Sequence, residues 1–473
     1  MRSLLRLAVL ALALVVTLVP ASSAAAQNAV VRADVITEVQ PLGWRVVAVA
    51  IEYRHPINVG SADIPTSTFA VTATGPPNDP AGNPVTRNRT VVDVYTNNAP
   101  ELDRRGPRGT PGRYLIIELN PNDVGASALV FTGMPGRNQP VPLVGAYAVT
   151  QTADVVDDRG RQRLRRTPFA ITNQGVINPI VDEFASLSFT DSAGTSLNFR
   201  LFAPQGRPQR RSEGFPLVTF LHGGGERGAN NITQITANQG AVAFAKPERQ
   251  ASDPSYVLAA QVPEGSAWIT PAVQNALIEL IDRLVASYPI DEDRLYLTGL
   301  SLGGIGSFDI LTRYPDKFAG ALIIAATGDP SRMPLMRDVP VWATHSIDDP
   351  TVSYTTGTLA LMNALDAAGA LVTRGQWAGN LPERAAEAEA LRLWAQAEAN
   401  GSHALFTTYT AGTTPVSAHW SWVPTYLNDV MIDWLFTQDL QDRPSGANAL
   451  RYSAAGWQAL TVATAGGTTT AGR

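Results

Sequence analysis

Cysteine is absent from all 473 residues. The chain therefore has no disulfide, no thiol nucleophile, no cysteine-ligated cluster or zinc site and no lipid-bearing cysteine. Histidine is scarce, with five in the whole chain, so any histidine-based chemistry has few candidates. Positive charge is not in excess. Lys and Arg number 36 against 41 Asp and Glu, a formal net charge of −5, and no overall basic field is present to attract a phosphate backbone. Nucleic acid is not an expected partner. Gly and Pro, at 39 and 34 residues, fall well short of the share that marks collagen-like or low-complexity sequence. After the first residues no apolar run is long enough to span a bilayer, which takes about 20 residues. What remains is a globular composition, 45% hydrophobic and 16% charged, in a chain long enough for two or three domains. A hydrolase built from it must use an oxygen nucleophile or a metal held by histidines and carboxylates.

Residues 1–27 read as a targeting segment that is excluded from the fold. Arg2 and Arg6 are followed by an almost wholly apolar run over 7–19, which stops at Pro20, and Ala24 to Ala26 supply the small residues of a cleavage site. Cleavage would leave a secreted protein, extracellular or periplasmic, with no transmembrane segment.

Two compositional regimes follow, dividing near residues 175–185. Over 28–175 the pattern is of short apolar or alternating segments, at 30–36, 44–53, 68–71, 91–95 and 114–119, separated by turn formers such as those at 75–80 and 105–109. Strands without intervening helical patterns predict a β-sandwich, immunoglobulin-like in type. His55 is the only histidine of this half and reads as structural. The basic stretch 159–166 reads as a solvated loop. Over 184–436 strand and helix signals alternate: a buried strand at 215–221, helices at 272–287 and 307–314, and strands at 294–298 and 320–325. That rhythm predicts a largely parallel sheet with helical crossovers. Residues 437–473 read as a tail, flexible by composition at 465–473.

Chemistry concentrates at Gly299-Leu300-Ser301-Leu302-Gly303-Gly304. Gly-x-Ser-x-Gly alone is weak, but here it joins an apolar strand to a helical segment, where a strained turn projects a serine hydroxyl from the sheet. A serine is a poor nucleophile until a base takes its proton. Downstream, a short strand at 339–344 leads into His345-Ser346-Ile347-Asp348-Asp349. Asp349 is the favoured acid, with Asp348 as its competitor. Of the histidines, His222 precedes the serine, His345 stands beside the acid and reads as a structural hydrogen-bonding group, and His403 reads as surface. His419, on a loop before a final helix at 426–436, is the favoured base. The order Ser, Asp, His is that of α/β-hydrolases. For the oxyanion that develops on an attacked carbonyl, backbone donors are needed. His222-Gly223-Gly224-Gly225, after a strand, offers Gly224 first and Gly225 second, with the N–H of Leu302 as partner. Glu226, Arg227 and His222 read as groups that brace or orient this loop.

The motifs Leu221-His222-Gly223-Gly224-Gly225-Glu226-Arg227-Gly228, Gln261-Val262-Pro263-Glu264-Gly265, Gly299 to Gly304 and His419-Trp420-Ser421-Trp422 resemble those of secreted esterases and predicted peptidases related to polyhydroxybutyrate depolymerases and feruloyl esterases. Some members of that group carry an N-terminal immunoglobulin-like domain. The resemblance covers nearly all of 30–436, although its specific motifs lie in the second half. It implies an α/β-hydrolase domain behind an all-β sandwich, carboxylic-ester hydrolysis, no cofactor or metal, and a triad of Ser301, Asp349 and His419. Ser346 stands where the family usually has glycine, and the segment 381–404 is longer than the family norm. The alternatives are a depolymerase of polyester or plant-wall ester, a serine peptidase, or a binding protein with an inactive hydrolase half. The segment 381–404 is expected to form a helix with Leu391 and Trp394 on one face, either as a lid at the mouth of the site or as a docked surface helix.

Overall fold

Residues 29–75, 83–103, 110–132, 137–206 and 214–443 are described by the structure, a computed structural model. The expected leader, the turn formers at 76–80 and 105–109 and the tail from 444 onward lie outside the described residues.

In the first half, period-2 patterning places alternate side chains on one face of each sheet. Strand Phe69–Gly75 buries Phe69, Val71 and Ala73 and turns Ala70 outward. It sits in a four-stranded sheet with the order Ile171–Thr172, Tyr147–Gln151, Phe69–Gly75, Val85–Arg89. A five-stranded sheet runs Gly175–Ile177, Val30–Gln40, Gly43–Ile57, Gly112–Leu119, Val91–Asn97. Val35, Val49, Ile51, Leu115 and Ile117 from this sheet share one core with Phe69, Val71, Tyr147 and Val149 from the other. Two sheets closed over one core form the expected sandwich. The expected solvated loop at 159–166 is more ordered than its composition indicates. It forms part of a small hairpin, Val155–Val156 with Gln162–Leu164, because the buried Asp157 carboxylate needs partners and takes them from Arg161 at 2.8 Å and Arg163 at 2.6 Å.

In the second half, strand Phe215–Leu221 is buried at every position. Leu217 and Leu221 enter one hydrophobic core and Val218 and Phe220 the other, so both faces are covered and the run is apolar at every position but Thr219 rather than alternating. The sheet has nine strands, in the order Ala185–Thr190, Ser196–Phe202, Tyr256–Gln261, Phe215–Leu221, Ile290–Leu300, Gly320–Ile324, Val341–Ser346, Ala404–Tyr409, Thr373–Trp377. The first two pairings, Ala185–Thr190 with Ser196–Phe202 and Ser196–Phe202 with Tyr256–Gln261, are antiparallel, and all the others are parallel. Chain order reverses around Phe215–Leu221, the kind of switch point beside which open α/β sheets bind ligands at their carboxyl ends. His222, Ser301, Asp349 and His419 all follow the carboxyl ends of strands in this sheet.

Two helices differ from expectation. The segment between the last two strands forms helix Glu383–Asn400, closed by Gly401 at φ 66°, but its docked face is Ala390, Leu393 and Ala397, with Trp394 partly buried and Leu391 52% exposed. It carries the chain from Thr373–Trp377 to its parallel neighbour Ala404–Tyr409. It is therefore a crossover helix, docked through Ala390, Leu393 and Ala397 with Trp394 beside them, and not through Leu391. The expected final helix is two, Trp422–Tyr426 and Asp429–Phe436, because the Asn428 side chain accepts from Met431 N–H and starts a new helix. Among the described residues no helix is long and apolar enough to cross a membrane.

Candidate active site

Ser301 is the turn between strand Ile290–Leu300 and helix Leu302–Arg313, with φ 52° and ψ −117°. A non-glycine residue there is strained. The turn is tolerated because its neighbours are glycines: a Cβ on Gly303 would lie 1.9 Å from Leu221 O, and one on Gly299 would lie 2.6 Å from Gly303 O. Ser301 N–H donates to Ile324 O at 2.9 Å, and Ser301 O accepts from Ile305 N–H at 2.9 Å. The hydroxyl thus stands at the head of the helix.

Ser301 Oγ is 3.0 Å from His419 Nε2, and His419 Nδ1 is 2.8 Å from Asp349 Oδ2. The His419 ring lies edge-to-face on Trp422, centroids 5.2 Å apart, and Trp420 stacks on Trp422. Asp349 is buried, and its oxygens are divided between two duties. Oδ1 accepts from Thr351 N–H at 2.8 Å and Val352 N–H at 3.0 Å; Oδ2 faces both His419 Nδ1 and His345 Nε2, the latter at 3.0 Å. Burial alone would raise its pKa, but the hydrogen bonds from His345, His419 and Val352 outweigh burial and hold it well below the usual carboxylate range. Asp348 is exposed and its Oδ2 accepts from Gly412 N–H at 2.8 Å, so it ties two loops together and does not face His419. His403 lies away from the site, bonded to Arg337 O at 2.7 Å. Ser346, at the position expected to be glycine, bonds to Thr414 Oγ1 at 2.5 Å and Ser421 Oγ at 3.0 Å, linking the acid loop to the segment that carries His419.

His222 and Arg227, two of the three groups expected to brace or orient the glycine loop, bond to its carbonyls. His222 Nε2 accepts from Val262 N–H at 3.0 Å, so Nδ1 carries the proton and donates to Gly223 O at 2.7 Å. Burial pushes His222 down to about 4, which keeps this neutral tautomer. In a trans peptide N–H and C=O point oppositely, so the bond to Gly223 O aims Gly224 N–H away from the His222 ring. Arg227 Nε donates to Gly224 O at 3.0 Å and sets the Gly225 N–H in the same way. A Cβ on Gly224 would meet nothing within 4 Å, leaving this stretch of backbone open. Leu302 N–H belongs to the first helical turn, where no intrahelical acceptor exists.

One neighbour escaped the sequence. Asn138, from the hairpin Leu129–Thr132 with Arg137–Pro140 of the first half, donates to Glu226 Oε1 at 2.7 Å. Arg137, from the same hairpin, pairs with Glu264 of the second half. Burial raises Glu226 to about 7 against the opposing pull of Asn138 and the Gly223 and Glu226 amides. No sequence spacing links positions so far apart. Among the described residues no group of three or more His, Asp or Glu could hold a metal ion.

Comparison with known proteins agrees with this architecture. Residues 32–163 match the family described as "Esterase Ig-like N-terminal domain", and residues 191–435 the family described as "Putative esterase". The crystal structure of a thermostable esterase is 30% identical with a TM-score of 0.70, covering 86% of this chain and 100% of its own. A ferulic acid esterase structure is 13% identical, with a TM-score of 0.33 over 54% of this chain and 97% of its own. The protein named "Putative esterase NocK" of Nocardia uniformis subsp. tsuyamanensis is 27% identical over 178 residues, 36% of this chain. The chain spans about half the length, 51%, of that curated relative. With an immunoglobulin-like domain ahead of an α/β-hydrolase domain, the chain belongs to the esterase family.

Proposed function

We propose that the protein is a secreted serine esterase that hydrolyses carboxylic esters through an acyl-enzyme, with Ser301, His419 and Asp349 as its triad. The observation that carries this reading is the unbroken line of hydrogen bonds from Ser301 Oγ through His419 to Asp349. Ser301 Oγ attacks the ester carbonyl while its proton passes to His419 Nε2. Asp349 holds the Nδ1–H tautomer and stabilises the imidazolium. The carbonyl oxygen becomes an anion held by backbone N–H groups, Gly224 first and Gly225 second, together with Leu302. When the tetrahedral adduct collapses, the bond to the alcohol oxygen breaks and His419 returns its proton to that oxygen. Water then attacks the acyl-enzyme, giving its proton to the same nitrogen; the acyl bond to Ser301 Oγ breaks, His419 returns that proton to Oγ, and the acid leaves. In this reading residues 1–27 are a removed leader, 28–175 the immunoglobulin-like domain, 184–436 the catalytic domain and 437–473 a tail. The substrate is an ester and neither cofactor nor nucleic acid takes part.

A fluorophosphonate probe should label the intact protein and leave Ser301→Ala unlabelled, and the intact protein should hydrolyse p-nitrophenyl esters. The same assay run over increasing acyl length, beside a peptide amide and a suspended polyester, separates esterase from peptidase and depolymerase. Folded protein that neither labels nor turns over any ester would make the chain a binding protein on a hydrolase scaffold.

A further inference from the structure

His345 stands outside the line from Ser301 to Asp349 but shares an oxygen with it. Its Nε2 is 3.0 Å from Asp349 Oδ2, the oxygen His419 also uses, and 3.1 Å from Val352 O. Both partners only accept, so Nε2 carries a proton and donates it. On its other side, Nδ1 lies 2.8 Å from the Thr358 hydroxyl. That hydroxyl oxygen is 3.2 Å from Ala326 N and 2.9 Å from Ala326 O. Ala326 follows strand Gly320–Ile324, and Ile324 O is the acceptor for Ser301 N–H. The segment Ile324 to Ala326 therefore holds the backbone of the nucleophile directly and the carboxylate of the acid through Thr358 and His345. His345 and Thr358 are both buried, and Tyr354 packs edge-to-face on the His345 ring.

We propose that His345 and Thr358 are positioning residues for Asp349, a brace that fixes the acid relative to the nucleophile. The proposal rests on the reading of Ser301, His419 and Asp349 given above. Two turn amides hold Oδ1, but a carboxylate held at one oxygen can still twist about its Cβ–Cγ bond. A second donor on Oδ2, itself pinned to the strand beside Ser301, fixes the carboxylate plane before His419 binds to it. His419 then meets a preset acceptor, and its Nε2 stays aligned with Ser301 Oγ as the proton moves.

Thr358→Val keeps the shape and removes the hydroxyl. Its kcat on p-nitrophenyl acetate should fall roughly ten- to a hundredfold, the usual scale for losing an orienting partner, with KM unchanged and a native circular dichroism spectrum. Thr358→Ser should restore most of the rate. His345→Gln should lower kcat by a similar factor in the wild type but by little in an Asp349→Asn background, because it acts through that carboxylate. Wild-type kcat in folded Thr358→Val, or an equal effect of His345→Gln in both backgrounds, would overturn the brace. The catalytic reading is tested separately: it fails if Ser301→Ala or Asp349→Asn keeps its turnover, or if the folded wild type neither labels nor turns over any ester.

Discussion

Replacing Asp349 by Asn should leave a folded protein that is almost inert, and the reason lies in how its four donors are arranged. Oδ1 accepts from two turn amides and Oδ2 from two imidazoles. An amide has one acceptor oxygen and one donor nitrogen, so it can satisfy only one side. If the oxygen stays with Thr351 and Val352, the NH2 faces His419 Nδ1, which must then be unprotonated. The His419 proton moves to Nε2, the nitrogen that has to accept from Ser301. If the amide flips, two part-buried backbone N–H groups face an NH2 and lose their acceptor, a cost toward the lower end of about 1–3 kcal/mol each. The first arrangement is favoured, and it stabilises the wrong tautomer. Loss of the triad carboxylate in this manner costs about 10⁴ in kcat, which at 1.36 kcal/mol per tenfold is about 5 kcal/mol. The assay is kcat on p-nitrophenyl acetate with the rate of fluorophosphonate labelling, each beside a thermal melt. Asp348→Asn is the control, for it loses only the bond from Gly412 on an exposed loop, and its kcat should stay within a few-fold of wild type. An Asp349→Asn protein that is folded and keeps more than a tenth of the turnover would refute the reasoning, and reversed results would assign the acid to Asp348.

Two glycines should separate packing from chemistry. Gly303→Ala puts a Cβ 1.9 Å from Leu221 O in a central strand and should give insoluble protein or a strongly lowered Tm, whereas Gly224→Ala, with nothing within 4 Å, should melt as wild type does; equal Tm values would mean that the turn relaxes more readily than its geometry implies. Stability should also record Glu226. Because burial raises its folded pKa to about 7 from an ordinary 4.5, the folded protein binds this proton more tightly than the unfolded chain. Its contribution is full below about pH 4.5 and is lost as pH rises through about 7. Glu226→Gln should flatten this fall in a series of melts from pH 4 to 8, and parallel curves for the two proteins would show that the group titrates normally.

How much of this could be read from the chain depended on whether a feature is local. The serine turn is contiguous: strand, glycine, serine, glycine and helix follow one another in six residues, so its steric demand is visible in the string itself. The acid and base required only order along the chain and a loop after a strand. The choice between Asp348 and Asp349 was harder, since both sit on one turn and differ only in direction, and it is the backbone that turns one toward His419 and the other toward Gly412. Helix Glu383–Asn400 was legible as a helix from its Ala, Glu and Leu content. Its docked face was not, because in a segment so rich in alanine the buried stripe of Ala390, Leu393 and Ala397 carries little more apolar contrast than the exposed one. His345 was legible as a hydrogen-bonding residue, but which partner it takes depends on the geometry of its loop.

The contact between Asn138 and Glu226 was the least legible feature, and it bears on what the immunoglobulin-like domain does. Asn138 lies in a short polar strand, Arg137–Pro140, with half-buried residues throughout, and nothing in it differs from ordinary surface. Yet it supplies a donor to a buried carboxyl that sits one residue from Gly225, and a Cβ on Gly225 would lie 2.9 Å from its Nδ2. A buried carboxyl without its donor is costly, about 1–3 kcal/mol, and the loop that bears it is the one proposed to hold the oxyanion. The sandwich therefore reaches the hydrolase domain at the loop proposed to hold the oxyanion, although none of the proposed triad residues comes from it. Each domain retains its own core, while the hairpin closes a polar contact that the catalytic domain alone leaves open.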